Sequence, residues 1–173
     1  MPVYALGDRI PTIDPTAFVH PDAVIIGDVT IGPESTIWPQ AVLRGDHGYI
    51  RVGAQTSIQD GTVVHCTGEH ATIIGDRCVV GHNAHLEGCT VENNCLIGSG
   101  SVILHRAIVG QGALVGASAM VPNDTLIPPL AMALGVPCRI RENAVSAGAF
   151  DYAVEIYIND GHQYRSQLRR LTD

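Results

Sequence analysis

Residues 91–127 read VENNCLIGSGSVILHRAIVGQGALVGASAMVPNDTLI, and within them Val91, Ile97, Ile103, Val109, Val115, Val121 and Ile127 recur at every sixth position without a break. Towards the N-terminus the same count runs through Ile13, Val19, Ile25, Ile31, Ile37 and Leu43. It resumes at Val52, Ile58 and Val64, and again at Ile74, Val80 and Leu86. A small residue stands four positions after most of these markers, as at Ala23, Ala41, Cys78, Ala84, Cys95, Ala107, Ala113 and Ala119. Glycine often follows the marker directly, as in Ile31-Gly32, Val80-Gly81 and Val115-Gly116. A sandwich would alternate at period two, with turns about every 8–12 residues. A fixed six-residue period instead marks an all-β solenoid of very short strands, a parallel β-helix of hexapeptide repeats.

Three such strands close one triangular coil, and coils stack at about 4.8 Å. Leu43, Val64, Leu86, Ile103 and Val121 are therefore expected on one face, and Ile37, Ile58, Val80, Ile97 and Val115 on the preceding one. The residues just after three of the first set, Arg44, His65 and Glu87, form an outward vertical row. Asp60 and His82, each two positions past a marker, form another. The breaks in the count at His47–Arg51 and Cys66–Thr72 are expected as loops pushed out at the corners.

Composition agrees with a narrow core. Of 173 residues only 5% are aromatic, whereas Val, Ile and Ala abound. The net charge of −7 gives no electrostatic footprint for nucleic acid or an anionic membrane. All ten basic residues are arginine, so a lysine Schiff base is excluded. Five cysteines without a Cys-x-x-Cys pair indicate neither a disulfide framework nor a zinc knuckle. Cys78 and Cys95 fall in the small interior slot, and Cys66 and Cys89 are expected as filler beside a corner. The opening segment lacks a signal pattern and no apolar run reaches membrane length, so the expectation is a soluble cytoplasmic protein.

The repeat fades after Ile127, and Pro128, Pro129, Gly135 and Pro137 break the chain. This divides it into a β-helix over 1–135 and a helical extension over 136–173. In the extension Phe150, Val154, Tyr157, Gly161, Tyr164, Leu168 and Leu171 follow steps of four and three, an amphipathic α-helix that Asn159-Asp160-Gly161 is expected to weaken or split.

Two imidazoles and a carboxylate on a rigid scaffold form a candidate catalytic metal site. His85, three residues after His82, is expected to point away from the row of His65 and Glu87, as a solvent or interface histidine. His20, His105 and His162 have no partner pattern and are read as surface residues.

The motifs Ile37-Trp38, Ala41-Val42-Leu43-Arg44-Gly45-Asp46, Ile58-Gln59-Asp60-Gly61 with His65, Gly81-His82 and Gly135-Val136-Pro137 resemble the gamma-class carbonic anhydrases and their bacterial relatives over about residues 10–170. The resemblance implies a left-handed β-helix, assembly as a homotrimer, and a metal at each subunit interface. It gives His65 and His82 as metal ligands, His65 and the third ligand coming from one subunit and His82 from its neighbour. The third ligand is histidine in the family pattern and is Glu87 here. The resemblance gives Gln59 as the residue that positions water or bicarbonate, and Arg44, Asp46 and Asp60 as charged partners near the site. Tyr157 and Asn159 resemble the family's Tyr-x-Asn near the pocket. His47 stands where one branch has a proton-relaying glutamate, with Glu69 and His70 as possible substitutes for a second.

The implied cofactor is Zn2+, with Fe2+ or another divalent ion as alternatives, and the implied substrate is carbon dioxide or bicarbonate. A bound divalent ion lowers the pKa of its water to about 7. Glu87 would donate negative charge and raise that pKa. Three further readings stay open: a thioesterase or other hydrolase or hydratase on the same scaffold, a noncatalytic structural trimer, and a hexapeptide acyltransferase.

Overall fold

A six-residue strand-and-turn unit buries one aliphatic side chain per strand and one small side chain per corner. In the computed structural model, which describes residues 2–171, this rule builds a β-solenoid. One face stacks seven parallel rungs in the order Phe18–Val19, Thr36–Ile37, Ser57–Ile58, Val79–Val80, Leu96–Ile97, Leu114–Val115 and Met132–Leu134. On the second face Leu43 pairs with Val64, Val64 with Leu86, Leu86 with Ile103 and Ile103 with Val121. The third aligns Ile31, Val52, Ile74, Val91, Val109 and Ile127. Both expected columns are thus in register.

The markers are the core. Ile25, Ile37, Leu43, Ile58, Leu86, Ile97 and Ile103 are fully buried, and so are the corner residues Ala23, Ala41, Ala107 and Ala113. Burying each large aliphatic side chain contributes about 1.5–3 kcal/mol relative to exposure. The turns repeat as well: Glu34, Gln55, Arg77 and Asn94 all adopt positive φ between 54° and 59°.

The interruption at His47–Arg51 is not a loop. A single strand, Val42–Val52, runs through it and pairs with Val24–Ile31. The extra length is absorbed by a register shift between Gly27 and Val29. Glycine is required there, since a Cβ on Gly27 would meet the Gly45 carbonyl oxygen at 2.2 Å. The second interruption does leave the rungs, between His65 and Thr72.

After the last parallel rung the chain reverses, and Arg139–Arg141 pairs antiparallel with Met132–Leu134. The extension therefore begins with a strand. Its helix, Asp151–Gln167, is one unbroken element, contrary to the expected split at Gly161. Gly161 is buried against Thr36, where the absence of a Cβ lets the helix lie close to the sheet. Val154 and Ile158 pack with Val79, Leu96 and Tyr157 on the first face. Arg77 ties the first helical turns to the solenoid through Asp151 at 3.2 Å and Glu155 at 3.1 Å. No helix among the described residues is long and apolar enough to cross a membrane.

Candidate metal centre

The second face carries Arg44, His65 and Glu87 in successive rungs, paired Arg44 to His65 and His65 to Glu87. Each follows an inward aliphatic residue, so each points outward by strand alternation. His65 Nδ1 lies 3.0 Å from Glu87 Oε1, and His65 Nε2 lies 3.0 Å from Asp46 Oδ1. Asp46 also pairs with Arg44. The Thr72 hydroxyl donates to the His65 carbonyl and accepts the Gly88 amide at 2.8 Å, which fixes the corner joining these rungs.

Burial pushes the Glu87 carboxyl up, but hydrogen bonds and charge from His65, with further contributions from His85 and His105, outweigh it and hold Glu87 below its ordinary value. Asp46 follows the same pattern: burial raises it, and His65 and Arg44 bring it below the usual carboxylate range. The ion pair between Glu87 and Arg44 that the shared column allows is not formed; Arg44 is taken by Asp46.

In the turns that follow the first-face rungs, His82 Nδ1 lies 2.9 Å from Asp60 Oδ2. A carboxylate only accepts, so His82 donates to Asp60 through Nδ1. Both side chains are about half exposed. Gln59 is buried at the base of an open groove of about 270 Å3 that His82, Leu96, Ala153 and Tyr157 also line. Burial raises the Tyr157 phenol, against the opposing pull of its contact with the Gln59 side chain. Asn159 is exposed on the helix, and His47 is exposed with Nε2 3.9 Å from Asp46 Oδ2. The chain thus brings together Arg44, Asp46, His65 and Glu87 in one group, and Gln59, Asp60, His82 and Tyr157 in a second. Among the described residues, no three His, Cys, Asp or Glu side chains of the chain form a ready metal-binding cluster.

Three histidines differ from expectation. His85 does not point away from Glu87: residues two apart on a strand share a side, and His85 Nε2 lies 3.3 Å from Glu87 Oε2. His105 is only partly exposed; its Nε2 is buried without a hydrogen bond, 3.6 Å from Glu87 Oε1. His20 is largely covered, its Nδ1 accepting the Asp22 amide at 3.1 Å. His162 is exposed, with Nε2 3.5 Å from Glu34. Cys66 and Cys89 are buried, with burial pushing both thiols up, Cys89 to about 12, so neither is a ready thiolate ligand.

The family model "Bacterial transferase hexapeptide (six repeats)" matches residues 11–45, 71–105 and 88–123. The chain is 40% identical over 143 residues to the carnitine operon protein CaiE of Escherichia coli, covering 83% of this chain and 73% of that protein. It is 44% identical over 138 residues to the mitochondrial gamma carbonic anhydrase 1 of Arabidopsis thaliana, covering 76% of this chain and 50% of that one. Among solved structures, a hexapeptide transferase family protein of Anaplasma phagocytophilum superposes with a TM-score of 0.88 at 34% identity, over 94% and 98% of the two chains. The product of the Bacillus cereus BC4754 gene gives a TM-score of 0.93 at 32% identity, over 96% and 98%. The repeat and these relatives place the chain in the hexapeptide-repeat family, among its gamma-carbonic-anhydrase-like and CaiE-like members.

Proposed function

We propose that this chain is a gamma-carbonic-anhydrase-like metalloprotein that hydrates carbon dioxide to bicarbonate at centres shared between the subunits of a homotrimer. The division of the donors carries the reading. His65 and Glu87 stand 3.0 Å apart on one face, whereas His82 stands in the turn after another. One chain supplies two half-sites, and a second copy is needed to join them. The outward column beside His65 and Glu87 supports lateral assembly: Val24, Val42, Val63, Val102 and Met120 stack there around His85, whereas the first face is covered by the chain's own helix.

The donor set fits a divalent ion such as Zn2+ or Fe2+, held by His65, Glu87 and the partner subunit's His82. The ion would supply Lewis acidity and make water a nucleophile near neutral pH. His65 faces a carboxylate with each ring nitrogen, and to hold an ion it would turn Nδ1 away from Glu87 Oε1 and keep Nε2 on Asp46. Asp60 fixes the His82 tautomer, and Asp46 is held in place by Arg44. Gln59, buried and in contact with Tyr157, orients the small substrate in the groove. His47 is exposed beside Asp46 and is placed to pass protons to buffer.

Subunit exchange tests the shared site. A His65→Ala trimer mixed with a His82→Ala trimer regains some intact sites, read as metal content and carbon dioxide hydration. No recovery after proven exchange would refute a site built from two chains. A second reading, hydrolysis of a short acyl thioester at the same centre, is favoured by the apolar lining that Val79, Leu96, Ile97 and Ala153 give the groove. Acetyl thioester turnover exceeding carbon dioxide hydration would select it.

A further inference from the structure

Glu87 has more imidazole neighbours than it can use at once. His65 Nδ1 at 3.0 Å and His105 Nε2 at 3.6 Å both face its Oε1, and His85 Nε2 faces its Oε2 at 3.3 Å. Only the His105 nitrogen is left without a hydrogen bond, and it is buried. Buried polar atoms without partners are rare and unfavourable, so each requires a reason.

The position of His105 is built rather than incidental. It lies two residues past Ile103, one coil beyond Glu87, and reaches back over Gly88. A Cβ on Gly88 would come within 2.9 Å of both His105 Cδ2 and His70 Cβ, and Gly88 has a φ of +61°. His70 flanks the His105 ring at a centroid distance of 5.8 Å. The Nε2 of His70 accepts a hydrogen bond from Arg106 at 3.1 Å, and Arg106 is in turn clamped on Asp124 at 2.6 and 2.7 Å. His105 is therefore braced by His70, which Arg106 anchors.

We infer that His105 is a positioning residue for Glu87 that takes over the Oε1 hydrogen bond when His65 turns to a metal. This rests on the metal-centre reading above. As the side chains stand, His65 Nδ1 occupies Oε1 and His105 Nε2 lies 3.6 Å from it. If His65 presented Nδ1 to an ion, Oε1 would lose its donor, and a shift of about 0.5 Å would bring His105 to ordinary hydrogen-bond distance. The exchange keeps the carboxylate oriented by imidazoles on both oxygens, with His85 unchanged on Oε2. Donors of this kind typically change metal affinity 10–100-fold.

The test uses the full chain depleted of metal and titrated with Co2+, comparing wild type with His105→Leu, His105→Gln and His65→Ala. His105→Leu is expected to bind Co2+ about tenfold more weakly, with an altered visible spectrum. Its metal-free melting temperature should be unchanged or higher, because the unpartnered nitrogen is gone. His105→Gln, which keeps an N–H donor at similar reach, should recover most of the affinity. Binding by His105→Leu within twofold of wild type, while His65→Ala is impaired, would overturn the inference and leave the metal centre standing. So would a weakened His105→Leu that His105→Gln does not rescue, or a weakening matched by an equal loss of metal-free stability. A wild type that binds no Co2+, or a His65→Ala variant that binds as well as wild type, would bring down the metal-centre reading and this inference with it.

Discussion

Adding one methyl group at Gly161 tests how the helix is seated beside the candidate site. In Gly161→Ala the new Cβ would lie 2.6 Å from Thr36 Cγ2, about 1 Å inside ordinary carbon–carbon contact. Rotating the Thr36 methyl away would move its hydroxyl off the Trp38 indole N–H, which it shares at 3.0 Å with Ser57 at 2.9 Å. Overpacking of this kind costs about 1–3 kcal/mol. Alanine recovers up to about 1 kcal/mol of it through helix propensity. The net loss is about 1 kcal/mol, or about 2–4 °C in melting temperature for a chain of this size. Thr36→Ser removes the obstructing methyl and keeps the hydroxyl, at a cost of about 1 kcal/mol by itself. In the double variant the alanine methyl fills the vacated space, so the two changes should couple favourably by about 1–2 kcal/mol. The sole tryptophan, Trp38, reports the result directly, since its ring is 5.0 Å from Tyr164 and 6.1 Å from Tyr157 on the helix. Urea melts followed by Trp38 fluorescence at fixed protein concentration give the four stabilities. A Gly161→Ala variant as stable as wild type, or strictly additive effects, would refute the seating described here.

Glu87→Gln keeps size but removes the anionic donor; metal per subunit, measured by elemental analysis after dialysis against a weak chelator, should fall while the trimer persists in sedimentation. Glu87→His should raise carbon dioxide hydration in the metal-loaded protein, and a well-metallated but inert variant would count against this chemistry. Glu87 and Asp46 both titrate below their ordinary values, so they stabilise the fold above their unfolded pKa values of about 4 and that contribution is lost as pH falls through the lower folded values. Denaturant midpoints of metal-free protein should therefore fall below about pH 4, and Glu87→Gln should flatten that acid limb; an identical limb in the variant would remove Glu87 from the account. Cys66, Cys78, Cys89 and Cys95 are buried and Cys138 is not, so a thiol reagent should modify Cys138 first and the others only on unfolding. Rapid native labelling of Cys89 would contradict its burial.

The solenoid was legible in the sequence because its rule is local and repeated: an aliphatic residue every six positions is both the core and the register. The column of Arg44, His65 and Glu87 follows from that count alone. His105 was not legible by the same reasoning, since it sits two residues past its marker and reaches Glu87 only across Gly88. The clue was Gly88 itself, a residue without a Cβ between two histidines. His85 was misread because it was placed by its spacing from His82, whereas it belongs to the strand His85–Glu87, whose alternate residues share a side. The break at His47–Arg51 looked like a loop because a count of markers does not register a bulge, in which Gly27 and Gly45 let two backbones close together.

A parallel solenoid has no intrinsic length. Each rung offers the next the same row of amides and carbonyls, and an uncovered last rung would accept another molecule's first one and propagate into a fibre. Arg139–Arg141 changes that terminus. Running against Met132–Leu134, it offers a reversed backbone that does not continue the parallel ladder, with exposed arginines that repel an identical end. On this face, growth along the axis is opposed at this end by polarity and charge together. The sides of the prism carry no such stop, and the shared centre proposed above would need copies to meet there, with His65 of one beside His82 of the next.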